Sequence, residues 1–149
     1  MGTDIHTYVE RRTDGRWEAV PQLDNELFGE RTYAVFGFLA NVRNACAIPA
    51  LAAPRGLPED ISPAVRKKYV EDFYHTPSWL LAGELLNFDY DQPVEDRRVR
   101  REGALSDSTC AQGEGRMTSY RALLGEPFFR SLERLKQSGA ERLVFFFDN

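Results

Sequence analysis

The sequence lacks most of the features that place a protein in a class at first sight. Its longest apolar stretches fall far short of the roughly 20 residues that a membrane-spanning helix needs. It begins with no basic segment followed by an apolar one, as a secretory signal would. The two cysteines, Cys46 and Cys110, have no CxxC spacing, which favours two free thiols over a disulfide. These absences predict a soluble, cytoplasmic protein with no membrane partner.

The chain also has fewer basic than acidic residues, 19 against 23. The net charge of −4 argues against binding to duplex nucleic acid, which needs a basic face. The basic run RRVRR at 97–101 is interpreted as a solvated loop, or alternatively as a segment that gathers phosphates over a pocket. The chain contains no GxSxG, HExxH or Walker motif, and its two histidines are not spaced as HxH or HxxxH. The sequence therefore gives no motif that identifies an enzyme class, and its signal for a metal site is weak.

What is present predicts one α+β domain over residues 1–149. Of these, 42% are hydrophobic, enough for a core. A hairpin is predicted near the start of the chain. Its strands are 4–10, where polar and apolar residues alternate, and 17–20, and its turn is Asp14-Gly15. The apolar run Leu143–Phe147 predicts a central strand, paired beside the first. We expect a small, mostly antiparallel sheet that includes the N- and C-terminal strands, packed with about four or five helices at 31–44, 63–73, within 75–89, 118–125 and 126–139.

The tract at about 89–117 is polar and rich in glycine, with little material for a core. Such a tract is more often a functional or mobile loop than regular structure. We therefore predict a polar, loop-rich tract here. Trp79, which lies before this tract in a leucine-rich segment, is predicted to be part of the core.

The first candidate site lies in the opening strand. Because alternate residues of a strand point to the same face, Asp4 and His6 are expected side by side, with Asp148 nearby if the last strand pairs with the first. His75 is the other histidine. An acid can orient a histidine as a general base, and both are ligands for Zn or Mn. A hydrogen bond that only stabilises the fold explains the same pattern, and these alternatives stay open.

The second candidate site is a set of anion-binding groups. Arg43 and Asn44 end a predicted helix, and Arg55 lies in a loop between a proline and a glycine. Arginine binds phosphates and carboxylates through two parallel hydrogen bonds. Alternatively, Arg43 complements the helix dipole and Arg55 pairs with Glu59 or Asp60. Ser78 is placed either in the same cleft or at a helix cap.

Several segments together resemble a family of small proteins from bacteriophage and prophage genomes. Members usually begin M-G-C-D-I-H, where this chain has MGTDIH, and continue with elements similar to FGFLANVRN, PRGLPEDIS and HTPSWLLAGELL. The resemblance covers most of the chain outside 92–116. It implies an accessory factor that sequesters or cleaves a nucleotide-type host signal. Thr3 stands where relatives usually have cysteine, which weakens any thiol-based mechanism.

These observations lead to three hypotheses for function. The first is a protein that binds or processes an anionic, nucleotide-like small molecule with Asp4, His6, His75, Arg43, Asn44, Arg55 and Ser78. The second is a metal-dependent or histidine-based hydrolase or lyase that uses His6 as base or metal ligand. The third is a protein-binding inhibitor that uses the 89–117 tract. Two histidines in one pocket favour the enzyme, and an arginine pocket with the histidines elsewhere favours the binder. The cofactor is unknown, and a homodimer is compatible with the size.

Overall fold

The computed structural model describes residues 2–149 and confirms the α+β class. A sheet contains both terminal strands, and every strand pair in the described residues is antiparallel. The described part has five α-helices and a short 3-10 helix at Pro21–Leu23. In chain order the elements are β1 (Ile5–Thr13), β2 (Arg16–Ala19), α1 (Tyr33–Ala40), α2 (Pro63–Arg66), β3 (His75–Leu81), α3 (Ala82–Leu86), β4 (Pro93–Asp96), β5 (Arg98–Arg101), β6 (Ala104–Thr109), β7 (Arg116–Ser119), α4 (Tyr120–Leu124), α5 (Glu126–Ser138) and β8 (Arg142–Phe147).

The chain divides into two compact units. The sheet unit contains the residues up to Arg31, together with Pro54–Phe88 and Pro127–Asn149. Its sheet has the strand order β2-β1-β8-β3. The hairpin unit contains Thr32–Ala53 and Asp89–Glu126, with the strand pairs β4–β7 and β5–β6.

Strand β8 is the buried centre of the sheet unit, as its apolar run predicted. All six of its residues are buried, and it pairs with β1 on one side and β3 on the other. The predicted Asp14-Gly15 turn joins β1 to β2 with positive φ at both residues, the backbone that such two-residue hairpins require. The sheet therefore brings together segments from both ends of the described chain.

The two faces of this sheet differ in chemistry. One face carries Ile5, Thr7 and Val9 of β1, all buried. The opposite face, which we call the polar face, carries the alternate residues of β1 from Asp4 to Arg12. Its middle is covered by a cluster of Tyr8, Val144 and Phe146 with Val65 of α2 and neighbouring aromatic side chains. Polar groups consequently remain at the two ends of the polar face.

The helix predicted within 75–89 is wrong over residues 75–81. Residues 75–81 form the edge strand β3, and only Ala82–Leu86 are helical. The Thr76-Pro77 pair, which is typical of a helix start, instead lies in a bulge where Thr76 has φ of 50°. Pairing with the buried β8 outweighs the local helix signal, because it buries Ser78 and Leu80 on one side of the strand. Two other helices are shorter than predicted: α1 ends at Ala40 and α2 at Arg66.

The loop-rich tract at 89–117 contains more regular structure than we expected. The tract contains the strands β4, β5, β6 and the start of β7. Glu102 and Gly103, both with positive φ, form the two-residue turn between β5 and β6. The RRVRR run belongs to this unit, where the Arg97 guanidinium donates to the Cys110 carbonyl and Arg98 pairs with Asp96. These strands are largely exposed, so their sequence carries no apolar pattern.

Two further sequence predictions concern the whole described region. Cys46 and Cys110 are free thiols, as predicted. Among residues 2–149, no helix has the length and apolar character required to cross a membrane.

Candidate functional site

The first end of the polar face carries a histidine–carboxylate pair. His6 Nε2 lies 2.7 Å from Asp148 Oδ2, and the Asp4 amide donates to the other Asp148 oxygen. The expected approach of Asp148 is thus confirmed. Asp4 does not orient His6 as we expected, because its carboxylate accepts two hydrogen bonds of 2.9 Å from Arg31. That pairing lowers the pKa of Asp4.

His75 does not join His6 in one site. It pairs with Phe147 in the sheet, whereas His6 pairs with Phe146, so the two histidines point to opposite faces. Its ring contacts Thr76 Oγ1 at 2.8 Å and Asn149 Oδ1 at 3.1 Å. Within residues 2–149, no group of three His, Cys, Asp or Glu side chains is arranged to hold a metal ion.

Arg43 and Asn44 belong to the hairpin unit, where they line a small cavity of about 340 Å³. The Asn44 side chain is occupied by its own loop. Its amide nitrogen donates to Asn41 and to the Ile48 carbonyl, and its oxygen accepts from the Ile48 amide. Arg43 lies 5.6 Å from the ring of Tyr33. The geometry gives Asn44 a structural task and does not test either residue as a ligand contact.

Arg55 and Ser78, by contrast, meet beside the edge strand β3. The Arg55 amide donates to Ser78 Oγ at 3.0 Å, and Ser78 is buried within β3, so it does not cap a helix. The guanidinium makes two hydrogen bonds of 2.7 Å to Glu84 rather than to Glu59 or Asp60. The same guanidinium stacks over Trp79 at 4.7 Å. Arg55 is therefore held over the tryptophan ring by a carboxylate.

The Arg55–Glu84 pair predicts a specific loss of stability in acid. Hydrogen bonding from Arg55 lowers the pKa of Glu84, outweighing burial. A group whose pKa is lower in the folded state stabilises the fold above its unfolded pKa, and that contribution disappears as the pH falls through the folded value. We expect the free energy of unfolding to fall less steeply below about pH 4.3, the ordinary pKa of glutamate, in Glu84→Gln than in the wild type. Urea titrations between pH 3 and pH 7 measure the difference, and parallel curves would contradict it.

The second end of the polar face contains an open groove that the sequence did not predict. It has a volume of about 530 Å³. Both tryptophans of the chain line it. We call it the tryptophan groove, and its lining residues are Arg12, Trp17, Arg55, Leu57, Pro58, Glu59, Asp60, Trp79, Leu81 and Arg142. Of the predicted site residues, only Arg55 belongs to it.

Arginine and tryptophan side chains alternate along this groove. The Arg142 guanidinium lies 4.0 Å from the Trp17 ring and 5.8 Å from the Trp79 ring. Arg55 lies over Trp79, and Arg12 lies 5.6 Å from Trp17. Such contacts hold a guanidinium flat against an indole and contribute about 0.5–2 kcal/mol each. The order Arg55, Trp79, Arg142, Trp17, Arg12 forms what we call the Arg–Trp ladder.

The three arginines of the ladder differ in their carboxylate partners. Arg142 donates to Glu10 at 2.7 Å and to Asp60 at 2.6 Å, and Arg55 donates to Glu84. The hydrogen bond from Arg142 lowers the pKa of Asp60, which also accepts from Trp17 Nε1. Arg12 is exposed, and its guanidinium makes no hydrogen bond or ion pair with any residue from 2 to 149. The ladder thus ends in a cation that lacks a carboxylate.

Part of this site has a sequence signal. A two-residue turn at Asp14-Gly15 fixes the register of the hairpin and pairs Arg12 with Trp17. Trp79 reaches the groove only because 75–81 is a strand, which the sequence did not predict.

Comparison with models of protein families, with curated proteins and with solved structures found no match. The functional argument therefore depends on the geometry.

Proposed function

We propose that the protein binds an anionic, nucleotide-like small molecule in the tryptophan groove. The observation that carries this proposal is the unpaired Arg12 at the end of the Arg–Trp ladder. The other two arginines of the ladder each have a carboxylate partner within the chain. A phosphate or carboxylate of a ligand supplies the equivalent partner for Arg12, because guanidinium groups bind such anions through paired hydrogen bonds.

The rest of the groove supports a ligand that also has a flat, apolar part. The indoles of Trp17 and Trp79 are only partly buried, and Leu81 is 41% exposed at the same place. Because arginines of the ladder lie over both indoles, a planar ligand ring would pack against the exposed indole edges and Leu81. The volume of about 530 Å³ lies within the range of small-molecule sites. A nucleotide combines the anionic group with the planar ring.

The position of the histidines supports binding over catalysis. His6 and His75 lie on opposite faces of the sheet, and neither lines the tryptophan groove. A histidine-based hydrolase that uses His6 stays a prediction. In the phage setting that the sequence resemblance implies, the bound nucleotide would be sequestered rather than cleaved. The free thiols of Cys46 and Cys110 support a reducing, cytoplasmic location for this activity.

Replacement of Arg12 tests the proposal directly. Because both tryptophans lie in the groove, the whole tryptophan fluorescence of the chain reports on it. We expect at least one of the four ribonucleoside 5′-monophosphates to quench this fluorescence saturably in the wild type. Arg12→Gln should weaken that binding about tenfold or more, as expected for a hydrogen-bonded charge. Isothermal titration calorimetry gives the same affinities independently.

Arg16→Gln is the matched control. Arg16 is an exposed arginine of the same hairpin, but it pairs with Thr13 and points away from Trp17. The change in net charge is identical, so the affinity of this variant should equal that of the wild type. Equal losses of affinity in Arg12→Gln and Arg16→Gln would show that the effect depends only on net charge. The proposal would be overturned if none of the four nucleotides quenched the fluorescence saturably.

A further inference from the structure

One group in the tryptophan groove has no role in the ladder. Glu59 lines the groove, is exposed, and makes no hydrogen bond or ion pair with residues 2–149. Its neighbour Asp60 is engaged on both oxygens, by Arg142 at 2.6 Å and by Trp17 at 3.0 Å. Two consecutive acids on the same wall therefore have different tasks. Asp60 holds the ladder in place, and the two oxygens of Glu59 are left available.

Glu59 and Arg12 are opposite charges in one groove, yet no ion pair joins them. A molecule that occupies the groove consequently meets a cation and an anion at separate points. The best match is a ligand with an anionic group for Arg12 and a pair of N–H donors for Glu59. An ionised carboxylate only accepts hydrogen bonds, so it rejects a ligand edge made of acceptors.

The geometry points to a guanine nucleotide as the ligand, with Glu59 as the residue that selects the base. This inference rests on the proposed function and names the ligand class of the same groove. Guanine presents two adjacent donors on one edge, the ring N1–H and the 2-amino group, which match the two oxygens of a carboxylate. Adenine and cytosine present one amino donor beside a ring acceptor. Uracil presents one N–H between two carbonyl oxygens, which Glu59 repels.

The remaining parts of the nucleotide fit the other walls. The phosphate supplies the missing partner of Arg12, and the purine ring packs against the exposed indole edges beside Leu81. Arg55 and Arg142 stay with their own carboxylates, so the ligand does not have to break either pair. Selectivity then arises from Glu59 and anion affinity from Arg12.

The sharpest test compares guanosine 5′-monophosphate with inosine 5′-monophosphate, which differs only by the absence of the 2-amino group. We expect the guanosine nucleotide to bind the wild type about tenfold more tightly, because its analogue leaves one oxygen of Glu59 without a donor. In Glu59→Gln the two affinities should come within about twofold of each other, since the amide has a single oxygen to offer. The measurement is calorimetric titration of each nucleotide into the full chain.

Glu18→Gln is the control with the same change of charge. Glu18 is an exposed residue of β2 that pairs with Arg11 and points away from the groove. This variant should keep the full preference for guanosine. Retention of that preference by Glu59→Gln would overturn the role of Glu59.

The other outcomes separate the two proposals. Equal binding of the two nucleotides to the wild type overturns the inference on guanine and leaves nucleotide binding in place. Failure of both nucleotides, together with the adenosine, cytidine and uridine monophosphates, overturns the proposed function itself. Free L-arginine, whose carboxylate and guanidinium also match Arg12 and Glu59, is titrated in parallel. Saturable binding of arginine with no nucleotide bound would replace the nucleotide by an amino acid ligand.

Discussion

Replacement of Glu10 by alanine should lower the free energy of unfolding by about 3–5 kcal/mol, the usual result of removing one partner of a buried ion pair. Glu10 is 0% exposed and Arg142 is 3% exposed. The carboxylate accepts from Arg142 Nε at 2.7 Å and from the Ser62 amide at 2.7 Å. Without it, the guanidinium keeps only the exposed Asp60 as a counterion, and the Ser62 amide loses its acceptor. Urea unfolding followed by circular dichroism measures the loss.

A double variant separates the cost of an orphaned charge from the value of the pair. Glu10→Leu with Arg142→Met removes both charges and keeps apolar volume, and such exchanges are often close to neutral. We expect the double variant to be clearly more stable than Glu10→Ala. The exposed pair of Glu26 with Arg134, at 3.5 Å, serves as the surface control, and Glu26→Ala should have almost no effect. A small loss in Glu10→Ala, or an equally large one in Glu26→Ala, would contradict the argument.

The second large effect is expected at Asn44. Asn44→Ala should cost about 2–4 kcal/mol, because it leaves both the amide and the carbonyl of Ile48 without the partner they now have. Ile48 is buried, so water does not easily replace that partner. The side chain also lies against Gly37, where an added Cβ would be 2.6 Å from Asn44 Oδ1. The helix and the loop after it therefore fit each other at this pair, and thermal unfolding measures the cost.

Asn44→Asp is the informative companion variant. It keeps the shape and the acceptor for the Ile48 amide but replaces the donor that serves the Ile48 carbonyl. We expect a loss of stability comparable with that of Asn44→Ala at neutral pH, since a carboxylate oxygen would face a carbonyl oxygen. Asn87→Ala on the exposed end of α3 is the control and should change little. Wild-type stability in either Asn44 variant would reopen its interpretation as a free ligand contact.

The sequence predicted those elements whose local pattern and tertiary environment agree. Local pattern and tertiary environment favour the same structure at three places. These are the alternation over Ile5–Val9, the Asp14-Gly15 turn and the apolar run of β8. It failed at His75–Leu81 because Thr76-Pro77 resembles a helix start, while the pairing partner that makes the segment a strand lies far away in the sequence. It failed over 89–117 because half-exposed strands with polar side chains have no apolar period to detect.

The candidate site was predictable only in parts. The shared face of Asp4 and His6 and the approach of Asp148 follow from strand alternation and from one pairing. The tryptophan groove requires the position of β3 relative to β8 and the loop that carries Arg55. Trp79, predicted as core, packs on the core cluster and also lines the groove. The apolar character of a tryptophan predicts that it is buried, but it does not predict which part of the ring stays exposed.

The strand order β2-β1-β8-β3 also determines when this sheet can be completed during synthesis. Glu10 and its partner Arg142 are 132 residues apart, and β8, the strand between β1 and β3, is synthesised after both of its neighbours. At about 5–20 residues per second, the β1–β2 hairpin exists for on the order of ten seconds with its inner edge unpaired. During this interval Glu10 lacks its ion-pair partner, and the tryptophan groove lacks Arg142, one of its lining residues. The groove that we propose as the ligand site is therefore complete only once β8 has paired with its neighbours.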